Sequence, residues 1–243
     1  MNENETTSGS ALQELTEDPS SRKRFLKAMG GGGAAAALGV LVAACGSSNK
    51  SKTTSTAAGA ATTTTSSSSG GSMKGDIAIV NYALTLEYLE AQFYADVIAS
   101  GVIKDPKVGS LAKKFGETEQ QHVDALTAAV KQLGGAPATK PKASFQSVIQ
   151  GGPSKILSTA ATVENLGAAA YLGQAGKIKS KDILAAALSI HSVEARHAAA
   201  LNELIGAGFQ GSGPLNGSIP DGAFAKPMDM AEVLKAVKPF LTA

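Results

Sequence analysis

Apolar residues recur three and four positions apart through four long segments of the chain, near residues 75 to 100, 108 to 134, 154 to 177 and 181 to 206, and this period predicts four amphipathic helices. Gly101 with Asp105-Pro106 punctuates the first break, and Gly134-Gly135 ends the second segment. Only Ile178-Lys179-Ser180 separates the third from the fourth, with Ser180 a predicted N-cap, so short links make antiparallel neighbours of helices one and two and of helices three and four. The link from Gly135 to Gly152 is longer and carries Pro137, Pro141 and an apolar stretch from Phe145 to Ile149. Fully extended it spans about 60 Å, against about 39 Å for a helix of this length, so it can cross the whole bundle and start the third helix at the far end. Met228 to Leu241 predicts a short fifth helix, with Pro220 and Pro227 breaking the segment before it. The fold class expected is all-α, a four-helix bundle with one long crossover between helices two and three and a short C-terminal helix.

Polar residues interrupt the apolar stripes at a few places. In the second helix the stripe runs Ala112, Phe115, Glu119, His122, Leu126, Ala129, Leu133, and in the fourth Ile183, Ala187, Ile190, Glu194, His197, Leu201, Leu204. The third carries Leu157, Ala161, Glu164, Ala168, Tyr171, Ala175, and the first Val80, Leu84, Glu87, Ala91, Tyr94, Ile98. A Glu and a His three residues apart lie about 4.5 Å apart along one helix face and converge on one point between helices. Four buried carboxylates would repel one another and lose hydration worth several kcal/mol each, and two divalent cations cancel their four charges. Glu87 precedes Glu119 by 32 residues and Glu164 precedes Glu194 by 30, so the two hairpins read as copies of each other.

In the first helix Ala83, Leu86, Glu90, Phe93, Val97 is also an apolar stripe, which leaves Glu90 an alternative to Glu87. Glu87 is preferred because Tyr94 follows it by seven residues, as Tyr171 follows Glu164. His191 reads as a surface histidine or one that supports a ligand from behind, and Lys113, Lys114 and Arg196 as a solvated face.

The segment Leu86-Glu87-Tyr88-Leu89-Glu90-Ala91-Gln92-Phe93-Tyr94, the words Glu119-Gln120-Gln121-His122 and Glu194-Ala195-Arg196-His197, and Glu164 with Tyr171 together resemble the ferritin-like di-iron carboxylate family, in particular exported bacterial ferritin-like domain proteins. The resemblance covers residues 75 to 206. It implies two iron or manganese ions, bridged by Glu119 and Glu194, with Glu87 and Glu164 as terminal carboxylates, one ion each on His122 and His197, and Tyr94 and Tyr171 behind the ligands. It further implies oxidation of Fe(II) or scavenging of oxygen or peroxide; the alternative is a non-catalytic metal-binding or desiccation-protective bundle.

Composition adds the cellular setting. Residues 21 to 27, Ser-Arg-Lys-Arg-Phe-Leu-Lys, precede an uncharged run from Gly30 to Ala44 that is too short for a stable membrane span and reads as a signal peptide. Arg22-Lys23 resembles a twin-arginine export signal with lysine in the second place, which leaves that route and general secretion both open. Val42-Ala43-Ala44-Cys45 resembles a lipobox, so residues 1 to 44 would be removed and the mature chain anchored to the membrane through a lipid on Cys45, outside the cytoplasm. Residues 45 to 73, rich in Ser, Thr, Ala and Gly, read as a tether reaching about 30 Å, and 74 to 243 as the folded domain. Cys45 is the chain's one cysteine, which excludes an internal disulfide and a thiolate-rich metal site. A net charge of +2 without a basic stripe predicts no nucleic-acid partner, and the sequence leaves a homodimer open.

Overall fold

A computed structural model describes residues 69–213, 217–220 and 222–242. The segment read from sequence as a signal peptide, Cys45 and most of the segment read as a tether lie outside the described residues. Five helices carry the architecture: α1 (Ser69–Ser100), α2 (Pro106–Gln132), α3 (Gly152–Ala175), α4 (Lys181–Leu204) and the short α5 (Met230–Val237). Among the described residues there is no strand, and no helix is long and apolar enough to cross a membrane.

Local sequence chemistry sets the helix ends. The Asp105 side chain accepts hydrogen bonds from the Lys107 and Val108 backbone at 2.9 Å each, and Pro106 supplies a preset φ where no intrahelical donor is needed. Ser180 caps α4 through the Ile183 N–H at 3.3 Å, as its position predicts. The starts of α2 and α3 lie two residues before the periodic pattern, and α1 starts six residues before it. In the added part of α1, Met73 and Lys74 are exposed, so this extension rests on cheap propagation from a helix already nucleated by packing. Met230–Val237 opens with a reciprocal cap between Asp229 and Glu232, and ends early because Pro239 cannot continue it; a 3₁₀ turn, Lys238–Phe240, follows. Ile98 and Leu204, placed on the apolar stripes by their spacing, are exposed instead, because they fall in the last turn of their helices beyond the neighbours that would cover them.

Helices α1 and α2 pack along their lengths, as do α3 and α4, giving two hairpins that meet through α1 with α3 and α2 with α4. The crossover runs beside α1: Asn81 bonds Ala136 O and Ala138 N, and further along Gln92 bonds Ala143 O. A one-turn helix, Gln146–Gln150, forms over its apolar stretch, and Phe145 at its head packs edge-on against Phe93 with ring centroids 5.2 Å apart. Buried Asp76 on α1 accepts from the Lys179 and Ser180 backbone at 2.9 and 2.7 Å, which fixes the α3–α4 turn and places a carboxylate at the start of α4.

The C-terminal segment closes over α3. Met228 N bonds Ala169 O at 3.0 Å, and Val233 and Val237 enter the core beside Phe145. Gly173 allows that approach, since a methyl group there would lie 1.9 Å from the Met228 carbonyl oxygen. Gly173→Ala should therefore lower stability by about 1–3 kcal/mol in urea unfolding and expose residues 217–240 to faster amide exchange. Unchanged stability and exchange would show that this close contact does not hold the segment down.

Candidate metal centre

The bundle core has two large apolar clusters, one containing Tyr94, Phe115 and Leu201 and the other Tyr171, Leu126 and Ile183. Acidic side chains from the middle of all four long helices project between them. Glu87 on α1, Glu119 on α2, Glu164 on α3 and Glu194 on α4 each have 0% exposure, so water hydrates none of them. His122 and His197 are buried beside them.

Both imidazoles present Nδ1 to the carboxylates. His122 Nδ1 lies 2.9 Å from Glu119 Oε2 and 3.2 Å from both Glu87 Oε2 and Glu194 Oε1. His197 Nδ1 lies 2.9 Å from Glu119 Oε1 and 3.2 Å from Glu164 Oε2. One nitrogen carries at most one proton, so three acceptor oxygens around His122 exceed what a hydrogen bond can satisfy. Glu119 Oε1 and Glu194 Oε1 are buried with only these shared imidazole contacts, and Glu194 Oε2 is buried without a hydrogen-bond partner. Potential ligand atoms fall into two overlapping sets, each within 4.8 Å: Glu87, Glu119, His122, Glu194 and Glu119, Glu164, Glu194, His197. Glu119 and Glu194 belong to both. A set of hard carboxylate oxygens with one imidazole each, dry and under-satisfied, fits divalent cations, and these residues could hold metal ions.

The electrostatics are those of a site built for positive charge. Burial pushes the Glu194, Glu90 and Glu87 carboxyls above their usual range, with neighbouring carboxylates adding to the rise. Burial and the Glu119 charge raise Glu164 to about 7. Burial also acts to raise Glu119, but contacts with both imidazoles win and hold it down at about 2. Against burial, Glu119 and Glu164 raise His197 to about 9, and three carboxylates raise His122 further.

The two tyrosines tie the hairpins together across the centre. Tyr171 on α3 donates to Glu87 Oε1 on α1 at 2.5 Å, and Tyr94 on α1 donates to Glu164 Oε1 on α3. Each hydroxyl stays protonated, raised by burial and by the carboxylate it serves. Glu87 and Glu90 are both buried, but only Glu87 joins a ligand set; Glu90 faces Gly167 with Oε2 unpaired. His191 is half-buried and outside both sets, its Nδ1 lying 3.0 Å from the Ala168 carbonyl oxygen.

Two contributors escaped the sequence reading. A methyl group at Gly167 would lie 2.5 Å from Glu194 Oε2 and 3.2 Å from Glu90 Oε1, so this glycine makes room for two carboxylates. Its signal was its register, three residues after Glu164 as Glu90 is three after Glu87. Phe115 stacks on His197 with centroids 3.8 Å apart and so fixes the plane of that imidazole, a role that its place on an apolar stripe does not reveal.

The sequence model of the ferritin-like domain matches residues 75–207, which is 133 of the chain's 243 residues. No curated protein matches the chain by sequence.

The pKa shifts give a pH dependence of definite sign. Glu164, Glu194, Glu90 and Glu87 are raised in the folded state, so the metal-free fold binds more protons than the unfolded chain and loses stability as pH climbs through their titration, near 7 for Glu164. His197, also raised, stabilises fully below about 6.5 and loses that contribution as pH passes about 9. Glu119 acts only below the usual carboxylate range. The melting temperature of metal-free protein should therefore fall steadily from pH 5 to pH 9, whereas saturating Mn(II), which competes with those protons, should stabilise more at pH 8 than at pH 6. A metal-free melting temperature that is flat or rising over that range would contradict this electrostatic account.

Proposed function

The chain belongs to the ferritin-like domain family, and we propose that it is an exported, membrane-anchored oxidoreductase whose bundle binds two iron or manganese ions and uses them to oxidise Fe(II) or to remove oxygen or peroxide. The observation that carries this reading is the sharing of Glu119 and Glu194 between two overlapping ligand sets. One set continues to Glu87 and His122 and the other to Glu164 and His197, which is the donor arrangement of dinuclear carboxylate centres in four-helix bundles. When bound, a pair of divalent iron ions supplies two electrons, one from each ion, enough to convert hydrogen peroxide and two protons into two waters.

The chain's own residues have definable parts in this. Glu119, held ionised by both imidazoles, is ready to bridge without first losing a proton. Burial favours the protonated forms of Glu194, Glu87 and Glu164, and cations bound there would compete with those protons, so metal uptake would be favoured at higher pH. Tyr171 and Tyr94 orient the terminal carboxylates Glu87 and Glu164, and the apolar clusters on either side exclude bulk water. Export and lipid attachment at Cys45 are supported by the basic, apolar and small-residue order of residues 21 to 45.

Titration of metal-free protein with Mn(II) in a calorimeter should give two ions per chain. Glu194→Gln, which replaces a carboxyl that burial drives toward its neutral form, should leave metal-free stability equal or higher while lowering metal affinity by more than about 100-fold; Tyr171→Phe should lower it about tenfold. Addition of Fe(II) in air should produce a burst of two Fe(III) per chain. Binding without that burst would support the non-catalytic alternative, and no stoichiometric binding would overturn the metal reading itself.

A further inference from the structure

Of the five buried glutamates, Glu90 alone has no part in the dinuclear reading. It is 4% exposed, and its Oε2 has no hydrogen-bond partner. The void beside it, about 10 Å³ and walled by apolar side chains such as Phe145, Val163, Leu166 and Phe240, has room for one water at most. Burial and the charges of Glu194, Glu87, Glu164 and Glu119 push the Glu90 carboxyl above its usual range. In the other four glutamates, contacts with His122, His197 or a tyrosine act against that rise. No such contact reaches Glu90 Oε2. A carboxylate buried without a cation or a donor is costly, so packing does not explain why this position is not apolar.

The internal repeat shows what Glu90 faces. The offset that superposes Glu87 on Glu164 places Glu90 on Gly167, so one hairpin has a carboxylate where the other has no side chain. A methyl group at Gly167 would lie 3.2 Å from Glu90 Oε1 and 2.5 Å from Glu194 Oε2. The two carboxylates therefore border one gap, which the missing side chain keeps open. Glu194 Oε2 is itself without a hydrogen-bond partner. The other oxygen of Glu194, Oε1, lies 3.2 Å from His122 Nδ1, so in a bridging carboxylate Oε2 is left for the set of Glu164 and His197. Two acceptor-only groups facing one dry gap repel each other unless a positive charge stands between them.

We propose that Glu90 is a seventh protein ligand of the dinuclear centre, closing across the gap at Gly167 onto the cation held by Glu164, His197 and Glu194 Oε2. Glu90 lies outside both ligand sets as they stand, and rotation about its side-chain torsions brings it in without movement of α1. The proposal rests on the dinuclear reading and refines it, because the two metal positions become inequivalent. Five carboxylates carry one charge more than two divalent cations cancel. A trivalent ion beside His197 removes that excess, so Glu90 makes the ion at that position the easier of the two to oxidise.

Glu90→Gln keeps the shape of the side chain and removes its charge, so the metal-free variant should be at least as stable as the wild type. Titrated with Mn(II) in a calorimeter, it should bind one ion as the wild type does and the other at least about tenfold more weakly. In iron-loaded protein its first oxidation should move to higher potential. A crystal structure of the manganese-loaded wild type should show a Glu90 oxygen on the ion beside His197 and not on the ion beside His122. Unchanged binding of both ions by Glu90→Gln would overturn the proposal, as would equal weakening of both, which marks a general effect of charge. Glu90 bonded only to a water in the adjoining void of the loaded wild type would overturn it as well. Absent binding of Mn(II) by the wild-type chain is instead the failure of the dinuclear reading, and this proposal falls with it.

Discussion

Everything in this bundle is arranged around carboxylates that have no water to hydrate them. Five glutamates, four of them with no exposed surface, share a core with two imidazoles between two apolar clusters. Burial of one ionised carboxylate costs several kcal/mol even after relaxation, so such a cluster persists only if protons or cations balance its charge. The two imidazoles accomplish part of this, since Glu119 is held ionised at their expense while its neighbours are driven toward the neutral form. The apolar clusters, the Asp76 anchor and the C-terminal segment on Gly173 supply the stability against which this arrangement is maintained.

The repeat in the sequence acquires physical meaning in the fold. Each hairpin contributes one Glu and one Glu-x-x-His, but neither hairpin completes a ligand set by itself, because Glu119 and Glu194 serve both. The tyrosine of each hairpin also bonds the terminal carboxylate of the other. Docking of the hairpins and assembly of the centre are thus one event, and cations that bound only the folded state would stabilise the hairpin interface by mass action. Departures from the repeat are where individual function is expected. Glu90 against Gly167 is one such departure.

Much of this was readable from residue spacing. The four long helices, the crossover and the convergence of Glu87, Glu119, His122, Glu164, Glu194 and His197 follow from the 3.6-residue period, since a polar residue on an apolar stripe has nowhere to point but inward. Seven-residue spacing favours Glu87 over Glu90, and of the two only Glu87 lies in a potential ligand set; both are buried because α1 is apolar nearly all round, as the second stripe through Glu90 indicates. Periodicity also overreached at Ile98 and Leu204, whose exposure depends on where neighbouring helices stop. The fit of Gly167 to two carboxylates, the stacking of Phe115 on His197 and the contact of Gly173 with Met228 depend on distances between chain segments that a one-dimensional pattern does not contain.

The central claim is that two cations sit among these six side chains and share Glu119 and Glu194. Anomalous diffraction from crystals of the manganese-loaded protein, recorded at the manganese absorption edge, tests it most directly. The account predicts two peaks about 3.5–4 Å apart, one against Glu87 and His122 and the other against Glu164 and His197, with Glu119 and Glu194 reaching both. A single peak, or none, with the six side chains still gathered in the core would contradict it.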